Sequence, residues 1–183
     1  MASARPPERI VLVGFMGSGK STVGEALARC LGWGFRDLDR WIEDRRGLTV
    51  AEIFRRHGEP SFRDEERRAA RAAARLRRHV VAAGGGAFAV EATRALLQAG
   101  SVTVWLRCRE AALWRRLPHD GSRPLAADRG TMRRLLGERE PSYRLADLAV
   151  DTSRAAPEEV ARCIVEAVFA SAPARARKTA KGR

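Results

Sequence analysis

The sequence predicts an α/β fold: a parallel sheet of five strands with helices on both faces. Three observations predict it. Short, continuously apolar runs alternate with longer segments whose apolar residues recur at helical spacing. Polar or glycine-rich clusters follow three of the runs, at 14–21, at Asp37 and Asp39, and at 84–86. An open parallel sheet presents its ligand-binding groups beyond the carboxyl ends of its strands, so the three clusters converge on one rim. The sequence has no run of eighteen or more apolar residues, and no membrane span is expected.

Residues 9–14 (RIVLVG) form the first strand, apolar throughout as a strand buried on both faces should be. From Ser21 the period changes. Val23, Leu27, Cys30 and Leu31 fall on one helical face, and Gly32 ends that helix. Residues 33–38 read as the second strand, ending in the Asp37 and Asp39 pair. Thr49-Val-Ala-Glu52 is a capping box ahead of Ile53 and Phe54. Ser61 is placed to cap a long helix running through Leu76. Residues 79–83 are the third strand, stopped by Gly84, Gly85 and Gly86. Residues 89–99 are helical, with Gly100 after them, and 101–106 are the fourth strand. A helix over 110–117 precedes a loop over 118–130 that holds Pro, Gly, Asp and Ser. Another helix runs to about Glu140, before Pro141. Residues 148–150 are a short fifth strand. Pro157 opens a last helix with Val160, Ile164 and Val168 on one face.

With 183 residues, 45% of them hydrophobic, the chain suits one domain with a proper core, assigned to 1–173. A first strand starting near Arg9 leaves no room for a signal or transit peptide. Cys30, Cys108 and Cys163 are odd in number and widely spaced. They read as small core residues in a reducing compartment, so a cytoplasmic protein is expected. The three histidines have no ligand-like spacing to them, which argues against a zinc site. Formal net charge is +13, and residues 174–183 carry five basic side chains and no acid. That tail reads as a disordered, solvated end.

Residues 14–21 (GFMGSGKS) fit G-x-x-x-x-G-K-[ST] in full, with a strand before and a helix after. Its glycines allow turns that turn successive N–H groups inward as an anion nest, and the following helix adds its positive end. Lys20 is the only lysine among residues 1–173, against 29 arginines. A sequence that otherwise uses arginine for every cation keeps a compact ammonium where a planar guanidinium is too wide for the loop. Gly17, Ser18, Gly19, Lys20, Ser21 and Thr22 are therefore expected to hold the phosphates of a nucleoside triphosphate. The Lys20 ammonium serves the β- and γ-phosphates, and the Ser21 hydroxyl serves Mg²⁺.

Further clusters narrow the reading: Phe35-Arg-Asp37-Leu-Asp39, Ile42-Glu43, Gly58-Glu-Pro-Ser-Phe-Arg63, Gly84-Gly-Gly86 and Arg123-Pro-Leu125. In this order and spacing they closely resemble shikimate kinase, along roughly residues 8–170. The resemblance implies a three-layer P-loop kinase fold with strand order 2-3-1-4-5 and a mobile lid, here about 117–130. It implies transfer of the γ-phosphoryl group of ATP to the 3-hydroxyl of shikimate, a step toward chorismate and the aromatic amino acids. By motif, Asp39 would hydrogen-bond the reacting hydroxyl and act as its base, and Asp37 would reach Mg²⁺ through water. Arg63 and Arg139 would hold the shikimate carboxylate, with Glu66 bracing Arg63, and Gly84, Gly85 and Gly86 would approach the acceptor. Arg123 would swing over the phosphates. Arg116 and the segment ending at Pro157 would clasp adenine.

The chemistry agrees with these assignments. A planar guanidinium pairs both oxygens of a carboxylate, and a closing cation stabilises a transferred phosphoryl group. Arg67, Arg68, Arg71, Arg75, Arg77 and Arg78 surround Arg63 in sequence and read as a solvated face. Two other readings compete. One is a kinase of the same fold acting on gluconate or a nucleoside monophosphate. The other is a basic nucleotide-binding protein without enzymatic activity, prompted by the charge. Nucleic acid is an unfavoured partner, since Trp33, Trp41, Trp105 and Trp114 stand at core-like positions with no aromatic interleaving of the charge. The chain is expected to act as a monomer.

Overall fold

The computed structural model describes residues 7–117 and 128–169. Its elements run β1 (Arg9–Val13), α1 (Lys20–Leu31), β2 (Gly34–Asp37), α2 (Leu38–Arg46), α3 (Val50–Ala73), β3 (His79–Ala82), α4 (Glu91–Gln98), β4 (Val102–Arg107), α5 (Glu110–Arg116), α6 (Arg129–Tyr143), β5 (Leu148–Asp151) and α7 (Pro157–Phe169). The strands pair in the order β2-β3-β1-β4-β5, every pair parallel. This is the predicted architecture.

The sheet is central because β1 has two apolar faces. Alternate side chains of a strand point to opposite faces. Val11 and Val13 join one core layer with Ile53, Phe62, Phe88 and Leu97, whereas Ile10 and Leu12 join another with Val23, Leu27, Val160 and Ile164. All five β1 residues are buried. From β1 the chain crosses to the edge strand β2 and comes back to β3 beside β1, then passes to the other side of β1 for β4 and β5, so the direction of winding changes at β1. The loop leaving β1 therefore opens onto the crevice where such folds bind ligands.

Several local expectations are corrected. Cys30 and Cys163 are exposed and Cys108 is half-buried. The buried stripe of α1 runs through Val23, Ala26 and Leu27, and that of α7 through Val160, Ala161 and Ile164, which leaves both cysteines on the flanks. Ser61 caps no helix. Thr49 caps α3 with the predicted capping box, and the break in α3 falls at Gly58, whose φ of 76° and ψ of 170° are non-helical. Pro60 then lies in the first turn after the break, where its missing N–H costs nothing, and Ser61 is already helical. β2 ends at Asp37, and Leu38 begins a helix, α2, that was not expected. The segment predicted as helix from residue 89 opens instead with a 3-10 turn at Ala87–Ala89, and α4 starts at Glu91. α6 runs through Pro141 to Tyr143. Of the four tryptophans, Trp105 is buried, while Trp33, Trp41 and Trp114 are only partly so and pack against the core edges.

Candidate active site

The loop between β1 and α1 follows the predicted phosphate-binding pattern. Gly14 has φ of 142° and its missing side chain is required: a Cβ there would lie 2.8 Å from the Leu106 carbonyl oxygen. Gly17 and Gly19 have φ of 78° and 94°, a region glycine enters freely. Gly19 is the N-cap of α1, with no side chain capping the first turn. The N–H groups of that turn are left for an anion, and the helix dipole favours one. Lys20 Nζ folds back and donates to the carbonyl oxygens of Gly14 and Phe15, each at 3.0 Å. A slender ammonium fits inside this loop, as the sequence argument required.

Asp37 and Asp39 face the same crevice, though not through the alternation of a strand. Asp37 is the N-cap of α2. Its Oδ1 accepts from the N–H of Asp39 at 3.0 Å and of Arg40 at 3.4 Å, and its Oδ2 accepts from the Ser21 hydroxyl at 2.5 Å. Asp39 sits in the first turn of α2. One carboxylate thus ties the phosphate loop to the helix that carries the other. Ser21 and Asp37 offer only hard oxygen donors, the kind that Mg²⁺ prefers.

A cavity of about 360 Å³ opens beside the loop, and its walls include Lys20, Ser21, Asp37, Asp39, Arg63, Glu66, Gly85, Gly86 and Arg139. Val50, Phe54 and Phe62 supply its apolar side, with the two phenyl rings 4.8 Å apart. The glycine triplet clears space for the charged side chains that crowd this floor. A Cβ on Gly84 would lie 2.7 Å from both Asp39 Oδ1 and Glu66 Oε1. One on Gly86 would lie 2.6 Å from Arg63 Nη1, and one on Gly85 would lie 3.4 Å from Arg139 Nη1. Gly84 is not itself in the cavity wall.

Glu66 is buried and accepts from Arg63 Nη1 at 2.5 Å, the bracing anticipated from sequence. Burial raises its pKa above the usual carboxylate range, and the nearby Asp39 charge adds to that; Arg63 and Arg139 pull the other way. Burial also weighs against the Arg63 charge, yet its pairing with Glu66 and Glu59 leaves the guanidinium pKa raised. Arg139 is 7% exposed, with its guanidinium 5.8 Å from the centre of the Phe15 ring. The arginines from Arg67 to Arg78 named above are all exposed. Placement alone separates Arg63 from them.

A second cavity, about 380 Å³, meets the first at the phosphate loop. Gly17, Ser18, Gly19, Thr22, Arg116, Thr152, Ala155 and Pro157 are among its walls. Arg116 Nη2 donates to the Thr152 carbonyl at 2.8 Å. The predicted nucleotide residues therefore gather in one place, apart from Arg123, which lies outside the described residues along with most of the lid segment and the whole basic tail.

Sequence reasoning missed two supports. Thr152, 2% exposed, donates through Oγ1 to the Ser18 carbonyl at 3.0 Å and pins the phosphate loop to the end of β5. Tyr143, fully buried, donates to the Gly85 carbonyl and links α6 to the glycine floor, and burial pushes its pKa up to about 12. Nothing in a threonine's local sequence marks such a role. The sole tyrosine of the chain was at least conspicuous.

A parallel sheet in this order, with a glycine-lysine loop at the reversal point and two cavities meeting there, defines a P-loop kinase. The model of the family described as "Shikimate kinase" matches residues 16–169. A shikimate kinase of Moorella thermoacetica is 46% identical over 166 residues, covering 90% of this chain and 96% of that one. A shikimate kinase of Cereibacter sphaeroides is 42% identical over 168 residues, covering 90% and 84%. The solved structure of a shikimate kinase from Acinetobacter baumannii in complex with shikimate aligns with a TM-score of 0.86 at 33% identity, over 92% of this chain and 95% of that one. The chain belongs to the shikimate kinase family.

Proposed function

We propose that this chain transfers the γ-phosphoryl group of ATP to the 3-hydroxyl of shikimate, giving shikimate 3-phosphate and ADP. One observation carries the reading. Lys20 and Ser21, the Asp39 carboxylate, and the guanidinium groups of Arg63 and Arg139 all line a single cavity. A triphosphate, an alcohol and a carboxylate each have a chemical counterpart there. The binding of shikimate by the Acinetobacter baumannii relative supports the choice of acceptor.

Arg63 and Arg139 hold the acceptor's carboxylate by paired N–H donors. That anchoring turns the 3-hydroxyl toward Asp39. As the hydroxyl oxygen bonds to the γ-phosphorus, the bond from that phosphorus to its bridging oxygen breaks, ADP departs, and the hydroxyl proton passes to Asp39. Lys20 and the N–H groups of the loop hold the β- and γ-phosphates, and Gly84 with its two neighbours keeps the floor open beneath the acceptor. The nucleoside lies in the second cavity, between Arg116 and Pro157. Ser21 and, through water, Asp37 would hold Mg²⁺, which would neutralise phosphate charge when bound. Arg123 completes the charge stabilisation from the lid at 117–130. The sequence of a single chain carries every one of these groups, so the reaction calls for no second copy, and the chain is proposed to act as a monomer. Among the described residues no helix is long and apolar enough to cross a membrane. ATP supply and three free thiols suit the cytoplasm.

The test is direct. Purified chain, ATP, Mg²⁺ and shikimate should yield ADP and one phosphorylated product, with NMR assigning the phosphate to the 3-oxygen. Phosphorylation of gluconate or a nucleoside monophosphate in preference to shikimate, or salt-sensitive binding of nucleic acid with no turnover at all, would replace this reading with one of its rivals.

A further inference from the structure

We propose that Glu59 stands in for the acceptor's carboxylate: it occupies the fork of Arg63 and must leave it when the acceptor binds, so that it sets how tightly the acceptor is held. The inference rests on the reading of Arg63 as the carboxylate anchor. A guanidinium offers five N–H donors, and the Nε–Nη2 edge is one of its carboxylate-binding forks. In Arg63 both donors of that edge go to one oxygen, Glu59 Oε1, at 3.1 and 2.7 Å. Nη1 goes to Glu66 Oε2 at 2.5 Å.

The two glutamates differ in what they can do. The Glu66 side chain is 4% exposed and forms part of the wall, whereas that of Glu59 is 59% exposed and can swing into solvent. Exchange with an incoming carboxylate therefore falls on Glu59. The backbone explains its position. α3 breaks at Gly58, and Glu59 begins the next helical stretch one turn ahead of Arg63, on the same face. Glu66 holds the guanidinium in place, and Glu59 keeps its open edge filled while the pocket awaits its acceptor. A second carboxylate cannot share that edge at full strength, since like charges repel and the donors are already used.

The alternative role for Glu59, a second brace that orients Arg63, predicts the opposite sign. An exposed pair of this kind is worth up to about 1 kcal/mol, so releasing it should change affinity by up to about fivefold. The experiment measures KM for shikimate, KM for ATP and kcat for the full chain and for Glu59→Gln and Glu59→Ala. Asp64→Asn, which removes an exposed charge that pairs with Arg67, serves as the control. The stand-in role requires KM for shikimate to fall, by up to about fivefold, in both Glu59 variants, with KM for ATP unchanged and Asp64→Asn near the parent. Shikimate methyl ester, which lacks the charged carboxylate, should gain nothing. An unchanged or raised KM for shikimate overturns the proposal, as does an equal gain in Asp64→Asn or with the ester. If the parent chain fails to phosphorylate shikimate, the assignment of Arg63 falls and this inference with it; if it succeeds and the variants do not tighten, only the inference falls.

Discussion

The Ser21 hydroxyl donates to Asp37 Oδ2 across 2.5 Å, joining the first turn of α1 to the last residue of β2. The other oxygen of Asp37 caps α2. One side chain thus serves the proposed metal site and the geometry of Asp39 together, and two substitutions separate these uses. Asparagine is as good an N-cap as aspartate, but it lacks the charge. Asp37→Asn should keep the thermal midpoint while raising the Mg²⁺ concentration needed for half-maximal turnover. Asp37→Ala should lose the cap as well, at about 1 kcal/mol, and melt a few degrees lower. Magnesium titrations and thermal melts read the two effects separately. An Asn variant with the parent's magnesium dependence would remove Asp37 from the metal site.

Gly84 carries a second prediction. A methyl group there would sit 2.7 Å from a carboxylate oxygen of Asp39 and of Glu66. Its φ lies outside the left-handed region, so alanine strains no backbone. The carboxylate ends must move instead, and they belong to flexible side chains. Gly84→Ala should fold and bind ATP normally while losing about tenfold or more in kcat, because small displacements of a reacting group are costly. Stopped-flow ATP binding and steady-state turnover check this. A variant with unaltered kcat would mean that Asp39 need not sit where it does.

Asp39 and Arg63 line the same cavity but should fail differently when changed. Asp39→Asn retains shape and loses the proton acceptor. It should lower kcat by about 10²-fold or more and move KM for shikimate little. Arg63→Ala removes a ground-state anchor and should mainly raise KM for shikimate, leaving KM for ATP nearly alone. Equal effects on both substrates would mean that the acceptor lies elsewhere.

How much of this was legible in the sequence follows from range. The phosphate loop could be read because its function is written in consecutive residues, with a strand before and a helix after. The sheet order came from resemblance, since a crossover leaves no local trace. α2 was missed because Leu38 also extends the apolar run of β2, although Leu38, Trp41 and Ile42 stand at helical spacing; the cap on Asp37 decides where the helix starts. Cys30 and Cys163 were misplaced because they stand beside the buried stripes of α1 and α7 rather than on them, and which flank faces solvent is settled only when the helices pack. Glu66, Gly84 and Asp39 come from three separate elements. Their crowding on one floor is a tertiary fact. The Thr152 anchor on Ser18 spans 134 residues, beyond any pattern of period two or 3.6.

The last prediction concerns the acid limb of stability. Glu110 accepts from Arg129 Nε at 2.9 Å, and from Arg133 Nε at 2.9 Å and Nη2 at 3.1 Å, fastening α5 to the start of α6. Hydrogen bonds from Arg133 and then Arg129 hold its carboxyl down at about 2, from an ordinary value of 4.5. A carboxyl whose folded pKa is depressed binds fewer protons folded than unfolded. Its contribution is present in full above the unfolded value and is lost as pH falls through the folded one. Glu110→Gln should therefore melt below the parent at neutral pH. The gap should begin to close below about pH 4.5 and vanish near pH 2. Both arginine side chains are more than half exposed, so salt should shrink the neutral gap as well. Melting curves from pH 2 to 7 at low and high ionic strength check both trends. A gap independent of pH would show that these arginines do not hold the Glu110 charge in solution.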